Sequence, residues 1–180
     1  MMETKISLTS TTNNKNIHIE PVKKNNVVEY NFTTMDRPHD IFALAKAFLS
    51  ISKMTNKKLQ KLCYYAKAWY LALYDRNLIS EQFQAWVHGA VQPALYQKYK
   101  QYGFGDIPKF KNIQEIPEEF LSFANEIYAS YGHLTGDELE HINHQETPWL
   151  EARGDCRPWE KCSNEISEQS MKLFYRKMIV

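Results

Sequence analysis

Four side chains in the last third of the chain are of the types a zinc ion takes: His141-x-x-His144 and, downstream, Cys156-x5-Cys162. Histidines three residues apart project from adjacent helical turns, and imidazole with thiolate makes up most structural zinc sites. The gap between the cysteines is too long for a zinc knuckle, so no metal is expected. His144 instead reads as bonding the turn ahead of Pro148-Trp149, with His141 exposed. A nucleophilic Cys63 or Cys156 would need a histidine in reach and an electropositive setting. Cys63 lies mid-helix among aromatic residues, where a thiol is packed and inert. The chain has no Gly-x-Ser-x-Gly, phosphate-binding loop or His-Glu-x-x-His, and its carboxylates form no recognisable pair. No catalytic residue and no cofactor is expected.

Tyr96, Lys98, Tyr99, Lys100 and Tyr102 interleave rings with cations, as single-strand nucleic-acid binders do. Yet 22 Lys+Arg stand against 21 Asp+Glu in 180 residues, a net charge of +1. That leaves no excess to hold a phosphate backbone, and nucleic acid is not the expected partner. The charge is unevenly spread. Residues 53–111 hold ten basic and three acidic side chains, and residues 112–168 three basic and thirteen acidic. Either oppositely charged helices face one another, or an acidic face awaits a basic partner. Lys57, Lys58 and Lys61 crowd the first turns of a helix, where the macrodipole disfavours cations. Solvent, the chain's own acidic half, or an anion would have to take them.

The element that must position these groups runs from Asn56 to Tyr74. Leu59, Leu62, Ala66, Trp69 and Leu73 recur at helical spacing, and Cys63, Tyr65, Tyr70 and Leu71 fill the flanks. A helix apolar nearly all round is central. Asp75-Arg76-Asn77 ends it, with Asn77 suited to the left-handed conformation. Residues 38–52 read as an amphipathic helix, and Leu78-Ile79-Ser80 and Phe83-Gln84-Ala85-Trp86 as short strands. Gly89 permits a bend, and Pro93 opens a helix to about residue 102. Pro117-Glu118-Glu119 starts a helix to Tyr131, and Thr135 with Glu138 forms a capping box. Thr147 caps a turn beginning at Pro148. Ile166, Met171, Leu173, Phe174 and Met178 share the face of a last helix. Residues 1–36 differ: a Ser/Thr/Asn-rich start, then period-two alternation at Ile17-His-Ile-Glu-Pro-Val and Val27-Val-Glu-Tyr-Asn-Phe. These predict a β-hairpin over residues 17–32. The expected fold is mainly α (α+β), a helical domain over residues 37–180 around a buried central helix, with a small β element.

Leu59-Gln60-Lys61-Leu62, Tyr64-Tyr65-Ala66, Trp69 and Leu71-Ala72-Leu73 together resemble the signature of the Panacea domain, the SocA-like antitoxin and phage-associated family. Ala85-Trp86-Val87-His88-Gly89-Ala90-Val91-Gln92-Pro93-Ala94-Leu95-Tyr96 is similar to that family's Glu-Ala-Trp-x-x-Gly-Pro-Val-x-Pro-x-x-Tyr segment, and Tyr102-Gly103 to its Tyr-Gly. Ala90 and Tyr70 depart from the usual proline and histidine. Tyr131-Gly132, Leu134-Thr135, Leu139, His144, Pro148-Trp149 and Ala152-Arg153 resemble its second half. The likeness spans about residues 40–177. It implies an antitoxin that binds a toxin encoded beside it; one relative delivers its toxin to a cytoplasmic ATP-dependent protease, a second partner to consider. Expected contact residues are Ile17, Ile19, Val28 and Tyr30 on the hairpin, with Trp86, Tyr96, Tyr99, His144 and Trp149 on the domain. A polar N-terminus, no apolar run of ~18 residues and an odd cysteine count fit a cytoplasmic protein without a membrane partner.

Overall fold

The computed structural model describes residues 40–179. Helix α1 (Ile41–Ile51) leads through β1 (Met54–Thr55) into α2 (Asn56–Tyr74), then β2 (Gln84–Trp86), β3 (Gly89–Val91) and α3 (Pro93–Tyr99). After a 3-10 turn come β4 (Asp106–Ile107), α4 (Glu118–Tyr131), α5 (Gly136–Asn143), α6 (Thr147–Arg153) and α7 (Glu168–Arg176). Among the described residues the fold is mainly α, with two antiparallel two-stranded sheets, β1–β4 and β2–β3.

Helix α2 is the axis of the core: every residue from 59 to 72 is buried. Its apolar residues cover all faces, so neighbours surround it, with α7, α5, α1 and α4 against it. Rings make the joints. Tyr65 stacks on Tyr131 of α4 at 4.3 Å, Trp69 meets Tyr175 of α7 edge-on at 5.0 Å, and Tyr64 meets Phe83 at 5.6 Å. The Trp69 indole N–H, which burial would otherwise strand, donates to the Tyr131 hydroxyl at 2.8 Å. Thr55 caps the N-terminus of α2 by accepting from Lys58 N.

The left-handed stop at the end of α2 is Asp75 (φ 58°), not Asn77. It is the first residue past the last turn, and its carboxylate pairs with Lys172 and Arg176 of α7. Leu78-Ile79-Ser80 form no strand; Leu78 and Ile79 are buried in irregular chain. The outer edge of β2 is used by the chain ahead of α7, where Ala85 N donates to Asn164 O and Ile166 N to Phe83 O. Glu146, not Thr147, precedes the first turn of α6. On α7 the buried residues are Met171 and Tyr175, while Leu173 is 49% exposed. The capping box at Thr135 and Glu138 forms as expected. The hairpin read over residues 17–32 lies outside the described residues.

The charge asymmetry resolves into facing halves. Lys46 pairs with Glu115 at 3.1 Å, Lys57 with Asp137 and Glu140 at 2.7 Å each, and Lys67 with Glu168 at 2.7 Å.

Candidate functional site

The β2–β3 hairpin lies on the side of α2 and is gripped from below by polar side chains of that helix. Gln60 accepts from Gln92 N at 2.8 Å through its carbonyl oxygen. Gln92 in turn accepts from Leu95 N, which fixes the start of α3. One residue on, the Lys61 ammonium donates to the carbonyls of His88 (2.5 Å) and Ala90 (3.0 Å). Lys61 is 1% exposed. Burial lowers its pKa to about 7, because removing a charge from water disfavours the charged form.

The other wall comes from α5 and the turn after it. The Asn143 side-chain oxygen accepts from Ala90 N at 2.6 Å, and its amide donates to Glu146 at 3.0 Å. Glu146 is buried and its carboxyl is raised to about 7 by that burial, against the hydrogen bond from Asn143 that favours the charged form. Gly89 sits between Lys61 and Asn143. Its φ is +89°, and a Cβ there would stand 2.7 Å from Asn143 Oδ1 and from Lys61 Cε and Nζ. Only glycine lets the backbone come this close.

On the outside of the hairpin four of the expected contact residues meet. Trp86 and Tyr96 pair edge-to-face at 5.2 Å. The Trp149 indole donates to Trp86 O at 3.2 Å, and the His144 ring stacks on Trp149 at 4.2 Å. Tyr96 is 37% exposed and Trp86 half-buried, whereas Trp149 keeps only 8% exposure and underpins the others. Burial holds the His144 imidazole below its ordinary value. Tyr99 is not brought to this face. It packs partly against the core, and its neighbour Lys98 lies over Phe42 of α1 at 4.4 Å. Ile17, Ile19, Val28 and Tyr30 fall outside the described residues. Beside the rings, exposed His88 bonds Glu140 at 3.0 Å.

Residue pattern alone singles out neither Asn143, Glu146 nor Arg153, and marks Lys61 only as one of three lysines crowding a helix start. Lys61 carried a signal all the same: it heads the face continued by Tyr65, Ala68 and Ala72, all apolar and all buried, so its ammonium had to find oxygen inside. Exposed Trp159 (74%) and Phe104 were also missed. Among the described residues no group of three or more His, Cys, Asp or Glu side chains is placed to hold a metal ion. His141 is exposed and bonds Gln145, and burial pushes the Cys63 thiol well up. No helix of the described residues is long and apolar enough to cross a membrane. In chemical terms the buried ionisable groups here hold backbone carbonyls and the Asn143 amide, and they fix the hairpin's shape.

The family model described as antitoxin SocA-like, Panacea domain, matches residues 59–150, just over half of the chain. The match takes in α2, the hairpin, Asn143 and Glu146. No curated protein and no solved structure matches.

Proposed function

Because this chain belongs to the SocA-like antitoxin family with its Panacea domain, we propose that it neutralises a cognate toxin by binding it directly. The observation that carries the reading is the Trp86–Tyr96 pair, held outward on a hairpin whose floor is fixed by Lys61, Gln60 and Asn143. Half-exposed aromatic rings on a rigid support are the material of binding hot spots, since they add contact area with little left to order. The first 36 residues, which lie outside the family match, select which toxin is held.

The test is co-expression with the product of the adjacent reading frame. The two proteins should co-purify. Trp86→Ala should weaken the complex by about 2 kcal/mol, roughly 30-fold, with its thermal melt little changed. Removal of residues 1–36 should leave a folded protein that no longer rescues cells from the toxin. If the Trp86 variant binds as tightly as the parent, the hairpin face is not the contact. A toxin half-life unaltered by the antitoxin indicates masking, and a shortened one indicates delivery to an ATP-dependent protease.

A further inference from the structure

We propose that Cys156 and Cys162 are a thiol–disulfide modification site, closing into an intramolecular bridge on exposure to a low-molecular-weight disulfide. The two side chains are neighbours at the end of α6, close enough for the Cys162 thiol to weigh on the titration of Cys156. Both are tied to the end of α6: Cys156 N donates to Arg153 O at 2.9 Å, and the Cys162 thiol to Ala152 O at 3.9 Å. The chain between them is already folded back. Arg157 N donates to the Glu160 carboxylate at 3.1 Å, and Glu160 N to Arg157 O at 3.0 Å. The buried Arg153 guanidinium closes the loop from inside, donating to the carbonyls of Arg157 and, at 2.9 Å, Glu160. A loop held shut by its own backbone loses little further freedom when the sulfurs join.

Exposure sets the order of steps, for Cys156 is partly exposed while Cys162 and Cys63 are buried. The Cys156 thiolate attacks one sulfur of oxidised glutathione, forming a mixed disulfide and releasing one glutathione thiolate. Cys162 then loses its proton to solvent, and its thiolate attacks the Cys156 sulfur, releasing the second glutathione. The protein dithiol gives up two protons and two electrons, and the reagent's sulfur–sulfur bond takes the electrons. The neighbouring Cys162 thiol and burial push the Cys156 thiol up, so the first step quickens as pH rises. The bridge would stiffen the loop that presents Trp159. That loop is joined to β2, since Arg153 also donates to Ala85 O at 3.4 Å and Asn164 O accepts from Ala85 N at 2.9 Å. The inference does not depend on the antitoxin reading.

The experiment incubates the reduced full-length protein with oxidised glutathione at about pH 8.5, near the ordinary thiol pKa. The sample is then quenched with an alkylating reagent, digested and weighed by mass spectrometry. The expected product is a single link between Cys156 and Cys162, with Cys63 alkylated only after denaturation. Cys162→Ser should stop at a mixed disulfide on Cys156, and Cys156→Ser should stay unreacted. A lasting mixed disulfide on Cys156 in the parent protein would overturn the proposal. So would disulfide-linked dimers, or three thiols left free.

Discussion

Replacing Gly89 with alanine is expected to destabilise the protein by about 3 kcal/mol, through two costs that add. At φ +89° a Cβ is crowded by its own backbone, at roughly 1–2 kcal/mol. The same Cβ falls 2.7 Å from Asn143 Oδ1 and from Lys61 Cε and Nζ, closer than atoms can stand, so those groups must move. The lysine tip is flexible in principle, but here it is fastened to His88 O and Ala90 O, and Asn143 to Ala90 N and Glu146. Displacing them leaves buried polar atoms unpaired, at roughly 1–3 kcal/mol. In denaturant titrations the midpoint should fall while the slope stays as in the parent. Gly103 provides the control. It also has a left-handed φ (+54°), but nothing lies within 4 Å of its Cβ position, so Gly103→Ala should show the conformational cost alone. Equal losses at the two glycines would mean that the floor of the hairpin yields, and the clamp of Lys61 and Asn143 would be disproved. On the function proposed above, a larger loss at Gly89 should be accompanied by weaker toxin binding, because the clamp sets the angle at which Trp86 and Tyr96 are presented.

The features of this fold that could be read from sequence are those set by local periodicity and local chemistry. Apolar spacing gave α2 and its central place, Pro93 and Pro117 marked helix starts, and Thr135 with Glu138 formed the box their spacing implies. What was missed is set by partners far away in the chain. Lysine is almost never fully buried, so the sequence leaves Lys61 to solvent, the acidic half or an anion, and the hairpin carbonyls, 27 and 29 residues on, claim it instead. Asp75 outdoes Asn77 as the left-handed stop because α7, about a hundred residues later, supplies two cations to its carboxylate. Strands β1 and β4 are two residues each, too short for any alternation to show. For the candidate site the residue types were legible and the grouping was not. Trp86, Tyr96, His144 and Trp149 were each marked as a ring, and only the fold shows that they share one face while Tyr99 leaves it.

The buried pair beneath the hairpin should give the stability of this protein a minimum near pH 7. Glu146 has an ordinary value of 4.5, raised by burial to about 7. Between those values the folded protein keeps a proton the unfolded chain has lost, so stability falls as pH rises. Lys61 has an ordinary value of 10.5, lowered by burial to about 7. Above about 7 the folded protein has released a proton the unfolded chain still holds, so stability rises with pH. Each limb has a slope of about 1.4 kcal/mol per pH unit at most, and they meet where both groups bear their full burial cost. Other groups bear on the edges of this window. His144, held down by burial, makes stability rise with pH below its ordinary 6.5 and opposes the acid limb. Cys63, pushed up by burial, makes stability fall above its ordinary 9.0 and opposes the alkaline one. Each limb is therefore read as a difference between parent and variant, from unfolding titrations at intervals between about pH 5 and about pH 9. Glu146→Gln should remove the falling limb, and Lys61→Met the rising one. The methionine variant will also be less stable throughout, since His88 O and Ala90 O lose their donor, but its slope above pH 7 carries the information. If that slope matches the parent's, Lys61 keeps its charge in the folded protein, and the hairpin is held by an ammonium whose burial cost is met elsewhere in the structure.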